Sequence, residues 1–192
     1  MEYVGLACFW VFFFTLHSVL ALLPVKNRFF SMGISPMKYR LAYNIIALVT
    51  LIPIVVYSAA INSGYVILPT NLTKYTGLLL AGWGVIIVRA AFKSYDTKAF
   101  LGLHNLEKEN EFTNWGLLKY VRHPMYSGSI LGIIGYFFYT PKLSTLISAG
   151  MIIIYFVVGI YIEEKKLIAQ FGKTYLDYKK ITPMLIPRFK RK

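Results

Sequence analysis

The chain has 192 residues, of which 57% are hydrophobic and only 15% charged, with a formal net charge of +13. Soluble domains carry about a quarter charged residues, so the composition excludes an ordinary water-soluble globule and points to an integral membrane protein. The excess positive charge does not indicate nucleic acid, because no basic helix or recognised binding motif accompanies it.

Five apolar blocks are predicted as helices, each near the length of about 20 residues that crosses a bilayer. The first covers 3–23, "YVGLACFWVFFFTLHSVLALL", and is expected to end at Pro24. The start, "MEYVGLACFW", lacks the positive region of a signal peptide, so the block reads as a retained span. Cys8, the only cysteine, can form no internal disulfide. His17 inside this block has two readings, a functional ionisable group or one end of an interhelical hydrogen bond. The second block covers 41–61, with Pro53 as an expected kink. In the third, 72–92, Gly77, Gly82 and Gly84 are expected to let a neighbouring helix approach closely. A loop follows with His104 and the stretch "YVRHPMYSG". Blocks at 125–140 and 143–162, separated by "TPK", then form a helical hairpin.

The expected fold is therefore all-α: a polytopic bundle of five transmembrane helices in one domain over 1–192. Three N-terminal spans fill 1–92, a cytosolic loop 93–124, the hairpin 125–162, and a cytosolic C-terminal segment 163–192. Basic residues collect on the cytoplasmic side of membrane proteins. With the N-terminus outside, all of the 21 Lys and Arg residues except Lys74 and Lys142 fall on that side. The loop carrying "RHPMY" and the C-terminal tail then share the cytoplasmic face.

Two polar clusters interrupt this apolar plan. Pro124 suits the first turn of a helix, where its missing N–H is harmless. The helix start offers backbone donors and a positive dipole end to an anion, and Arg122, His123 and Tyr126 stand around it. The competing reading is a membrane-interface anchor, with Arg122 snorkelling and Tyr126 in the aromatic belt. The second cluster is Glu163 and Glu164, at the end of the fifth block. Neighbouring residues on a helix point about 100° apart, so one of the two faces any given pocket. The other can pair with Lys165 or Lys166. Carboxylates at a helix C-terminus sit at the unfavourable end of its dipole. Together the clusters form a receptacle for a zwitterion, with its carboxylate on the His/Tyr side and its ammonium on the Glu side. S-adenosylmethionine fits this description, and so does a free amino acid. Beyond the pair, Leu167, Phe171, Tyr175 and Tyr178 recur at helical spacing, as a face that would cover the site. The three histidines, His17, His104 and His123, lie far apart with no ligand-type spacing, so no metal is expected.

The stretch "GLLKYVRHPMYSG", followed by "IEEKKLIAQFGKTYLDYKKITPMLIP", resembles the signature of the integral-membrane methyltransferases. That superfamily includes isoprenylcysteine carboxyl methyltransferase and the phospholipid N-methyltransferases. Upstream, "LHSVLALLPVK", "YRLAYNIIALVTLIP" and "FLGLHNL" are similar to a narrower branch, the methanethiol S-methyltransferases and NnrU-like proteins. The resemblance implies S-adenosylmethionine as methyl donor. It implies that His123 and Tyr126 hold the donor's carboxylate with support from Arg122, and that Glu164 holds its amino group. The backbone at Lys119, Tyr120 and Val121 and the tail near Leu167 and Phe171 would surround the adenosine. Here "GIYIEE" lacks the arginine that precedes the acidic run in the isoprenylcysteine branch, which argues against a prenylcysteine acceptor. The implied acceptor is small or membrane-soluble, a thiol such as methanethiol first. An isoprenylcysteine carboxylate or a phospholipid amine is the alternative, and a non-catalytic NnrU-like factor a further one. Deprotonation of a thiol would fall to Glu163, to His104 or to the field of the sulfonium itself.

Overall fold

The structure, a computed structural model, describes residues 1–93 and 112–188. Among the described residues the protein is an all-α membrane helical bundle with no β-strand. Its helices are α1 (Glu2–Ala21), α2 (Leu23–Ser31), α3 (Pro36–Ala60), α4 (Asn71–Phe92), α5 (Pro124–Tyr139), α6 (Leu143–Phe171) and α7 (Lys173–Ile181). A short 3₁₀ turn, Gly116–Lys119, precedes α5. Helices α1, α3, α4 and α6 are long and apolar enough to cross a membrane. The hairpin partner α5 has 16 residues, a length of about 24 Å at the usual helical rise. Large side chains such as Leu48, Val49, Ile52 and Val56 stand exposed along α3, as suits a helix solvated by lipid.

Several boundaries differ from the sequence expectation for local reasons. The first helix stops at Ala21, where Leu22 turns extended at φ −67° and ψ 138°. Pro24 does not end it but sits in the first turn of α2. Helix α3 starts earlier than expected because Ser35 caps it, its hydroxyl accepting from the Lys38 N–H at 3.4 Å, with Pro36 at the first helical position. Helix α6 runs to Phe171, well past 162, and stops at Gly172, whose φ of +54° is open to glycine. Glu163 and Glu164 are therefore about two turns inside a helix rather than at its C-terminus, and the dipole conflict expected for them does not arise. The aromatic face predicted as one helix is split: Leu167 and Phe171 lie on α6, Tyr175 and Tyr178 on α7.

The described residues group into two compact units. One comprises 1–67 with 142–151, so α1, α2, α3 and the first turns of α6. Its core holds Leu6, Trp10, Tyr39 and Ile54. Polar groups tie it together: Trp10 donates to Ser148 Oγ at 3.0 Å, and Ser144 N–H donates to Ser63 Oγ at 3.0 Å. His17 Nε2 lies 2.5 Å from Tyr43 Oη, which supports the interhelical hydrogen-bond reading of that histidine.

The other unit comprises 68–93, 112–141 and 152–188, so α4, α5, most of α6 and α7. Helices α4 and α5 meet along glycines. A Cβ on Gly77 would stand 2.5 Å from Tyr139 N, and one on Gly135 2.5 Å from Ala81 N. A Cβ on Gly84 would stand 2.6 Å from Gly128 O. Backbones so close leave no room for a side chain, which is how small residues join helices without a hydrophobic driving force in lipid. Gly82, expected in the same role, is exposed, with nothing within 4 Å of a Cβ.

Candidate functional site

The site is assembled at the start of α5. Gly116, at φ +62°, opens the 3₁₀ turn, and Tyr178 on α7 donates to Leu118 O at 2.6 Å to pin it. The chain then bends at Arg122 and reaches His123, the residue before α5. There the Arg122 N–H donates to Pro183 O at 2.9 Å and the His123 N–H to Met184 O at 3.1 Å. Ser127 Oγ, one turn into α5, lies 2.7 Å from Leu185 O and 3.0 Å from His123 O. The amides of Arg122 and His123, just ahead of the first helical residue Pro124, are thus met by a C-terminal strap, residues 182–185. A backbone segment buried without such partners would be unstable.

Arg122, placed by that pairing, projects onto α6. Its Nε lies 2.7 Å from Glu164 Oε1, with 6% of the arginine side chain and 2% of the glutamate side chain exposed. Its Nη1 donates to Thr182 O and, at 3.3 Å, to Lys179 O. Glu164 collects two more partners, His123 Nε2 at 3.3 Å from Oε1 and Lys179 Nζ at 2.6 Å from Oε2. A buried carboxylate is tolerable only with this degree of pairing. Glu163, its neighbour, points outward with 44% of its side chain exposed, yet its Oε2 lies 3.9 Å from His123 Nδ1.

Burial holds the His123 pKa below the ordinary 6.5, against the opposing pull of Glu163 and Glu164, while Arg122 adds to the depression. The imidazole is therefore neutral near pH 7. The neutral ring carries one N–H: on Nε2 it donates to Glu164, and on Nδ1, on the Glu163 side, it is available to another acceptor such as a carboxylate.

Aromatic rings enclose this cluster. Tyr126 packs edge-on against His123 at 5.8 Å between centroids and against Phe156 at 5.3 Å. Phe112 meets Phe171 at 5.5 Å, Tyr175 at 6.0 Å and Tyr178 at 5.0 Å. Tyr175 is 2% exposed, and its hydroxyl finds no hydrogen-bond partner among the described residues.

Of the residues singled out from sequence, Arg122, His123 and Glu164 lie in direct contact, with Glu163 and Tyr126 beside His123. Val121 is buried, Lys119 and Tyr120 are exposed, and Leu167 and Phe171 are half-buried. His104 lies outside the described residues. Lys165 and Lys166, considered as partners of the glutamates, are exposed; the lysine on Glu164 is Lys179. Sequence reasoning also missed Phe112 and the strap 182–185. Residues 182–185 lie within the quoted signature, but their part in the site was not foreseen because they act through carbonyl oxygens that any residue possesses.

The profile of the phospholipid methyltransferase family matches residues 72–174. Those residues include Arg122, His123, Tyr126, Glu163 and Glu164, while Lys179 and the strap lie beyond them. The chain is 34% identical over 124 residues to methanethiol S-methyltransferase of Pseudomonas deceptionensis, covering 60% of this chain and 46% of that protein. The enzyme of the same name from Crocosphaera subtropica is 31% identical over 121 residues, covering 59% and 46%. Methanethiol S-methyltransferase 2 of Bradyrhizobium diazoefficiens is 37% identical over 94 residues, covering 47% and 35%. The chain thus spans less than half the length of these relatives. No solved structure matches it. With more than half of the chain under one profile, and both halves of the buried cluster inside the match, the chain belongs to the phospholipid methyltransferase family.

Proposed function

We propose that this protein is a membrane methyltransferase that uses S-adenosylmethionine as donor and methylates a small, membrane-soluble thiol such as methanethiol. The observation that carries the reading is the buried cluster of Arg122, His123 and Glu164. It sets cationic and hydrogen-bonding groups against a carboxylate within one hydrogen-bond network. Those are the complements of an amino acid's carboxylate and ammonium, so the residues fit the amino-acid end of this donor. The names of the relatives support a thiol as acceptor.

S-adenosylmethionine, when bound, supplies an electrophilic methyl on a positively charged sulfur. Glu164 holds the ammonium, taking it in exchange for Lys179, whose side chain is 38% exposed. His123 and Tyr126, with Arg122, hold the carboxylate. The backbone at Lys119, Tyr120 and Val121 and the side chains of Leu167 and Phe171 flank the nucleoside. The acceptor thiol's proton passes to Glu163, partly exposed beside His123, or to the other candidate side chain, His104. The neighbouring aromatic residues exclude water, and holding two reactants in line lowers the barrier to such a transfer. The protein is a single five-span domain with α5 and α6 as a hairpin, the N-terminus outside and the site at the cytoplasmic face. This orientation follows the distribution of lysine and arginine.

A second reading, methylation of a phospholipid amine, is favoured by the description of the family itself. The test is methyl transfer by the purified protein from labelled S-adenosylmethionine, with methanethiol, phosphatidylethanolamine and a prenylcysteine analogue offered separately. Labelled dimethyl sulfide is the expected product. Labelled phospholipid alone replaces the thiol reading by the second one, and no labelled product from any acceptor rejects both.

A further inference from the structure

We propose that the hydroxyl of Tyr175 is a binding contact for the methyl donor, making a hydrogen bond to a polar atom of its nucleoside portion. The inference rests on the donor reading above and adds to it a residue on α7 with a specific task.

Tyr175 is among the most completely buried large side chains of the protein, at 2% exposed, and its hydroxyl has no partner among the described residues. An unpaired buried hydroxyl is a standing cost that phenylalanine would avoid. The ring alone accounts for the packing against Phe112 at 6.0 Å and Tyr178 at 5.9 Å. Tyr178, three residues on, shows the ordinary arrangement, with its hydroxyl spent on Leu118 O at 2.6 Å. The oxygen of Tyr175 therefore calls for a purpose that its ring does not supply.

Its surroundings say what that purpose is. The Tyr175 ring packs 5.9 Å from that of Tyr178, which is tied to Leu118 in the turn ahead of Arg122, and the charges of Glu164, Arg122 and Glu163 reach the phenol. Burial, with the two carboxylates, raises its pKa and keeps it a neutral donor. Both oxygens of Glu164 are already engaged by Arg122, His123 and Lys179. The amino-acid end of the ligand is matched by those same groups, which leaves the nucleoside for Tyr175. Phe112 and Phe171, in edge contact at 5.5 Å and both half-buried, offer apolar ring surface next to it. A nucleoside brings an aromatic base together with several hydrogen-bond acceptors, which suits one free phenol among apolar rings.

The experiment compares the full-length protein with Tyr175→Phe in detergent, by calorimetric titration with S-adenosylmethionine and with S-adenosylhomocysteine, and by thermal unfolding without ligand. The expected result is a Kd raised about 3- to 10-fold for both ligands, as for one lost hydrogen bond, with an unliganded Tm unchanged or higher. Equal affinity in wild type and variant overturns the inference. So does a fall of several degrees in the unliganded Tm, because the hydroxyl then has a structural partner such as a bound water. Weakening for S-adenosylmethionine alone overturns the nucleoside assignment, since both ligands carry it. If the wild type binds neither ligand, the donor reading itself fails and this inference fails with it. Tyr178→Phe serves as the contrast: it loses a structural hydrogen bond, so its Tm falls.

Discussion

The guanidinium of Arg122 and the carboxylate of Glu164 meet at 2.7 Å, and neither side chain is more than 6% exposed. Removing one partner of such a pair leaves an uncompensated charge, at a cost of about 3–5 kcal/mol, whereas replacing both by apolar groups is often close to neutral. Glu164→Leu is therefore expected to destabilise by that amount. Arg122→Met with Glu164→Leu is expected to be less damaging than the single change, although Lys179 also loses its partner. Denaturant unfolding of the four proteins as a double-mutant cycle measures the coupling; independent, additive effects contradict the description.

Lys179 occupies Glu164 Oε2 at 2.6 Å. If Glu164 receives the donor's ammonium, this lysine is a competitor rather than a helper. Lys179→Gln is then expected to bind S-adenosylmethionine about two- to five-fold more tightly, the range set by a partly exposed ion pair. Calorimetric titration distinguishes this from a direct ligand contact, which would give weaker binding.

His123 is held neutral by burial, with a folded pKa below its ordinary 6.5. The unfolded chain therefore binds more protons between the two values. Its contribution to stability is complete above about 6.5 and is lost as pH falls through the folded pKa. Thermal midpoints at a pH of about 5 and of about 7.5 should show a loss on the acid side that His123→Asn diminishes. A variant with the same acid sensitivity as wild type would place the titrating group elsewhere.

The α4–α5 seam has a built-in control. Gly84→Ala puts a Cβ 2.6 Å from Gly128 O, a backbone atom that cannot step aside without parting the helices. Overpacking of this kind costs about 1–3 kcal/mol. Gly82→Ala meets nothing within 4 Å and should leave stability unchanged or slightly higher, given alanine's better helix propensity. Thermal unfolding of the two variants in the same detergent is sufficient.

Long apolar helices were legible in the sequence because burial in lipid demands about 20 consecutive apolar residues, a signal that needs no tertiary context. Glu164 was legible as the inward member of its pair through helical geometry and resemblance together. Other features were not. Gly77 and Gly84 could not be separated from Gly82 without knowing which face α5 covers. The partner of Glu164 could not be chosen among several lysines, because Lys179 reaches it only after Gly172 turns α7. The part played by the strap was not legible because it consists of four main-chain carbonyls, those of Thr182, Pro183, Met184 and Leu185.

That strap has a consequence for how the protein is made. Residues 182–185 emerge from the ribosome about 60 residues after the Arg122 whose amide and guanidinium they receive. At translation rates of about 5–20 residues per second, α5 therefore spends several seconds with its entrance uncapped. Until residues 182–185 arrive, neither the amide nor the guanidinium of Arg122 has the carbonyl partners that the strap supplies. The hairpin must hold its charged mouth in water until the tail arrives, so a message cut short before residue 182 would leave a membrane helix pair with an open, charged end for quality control to recognise.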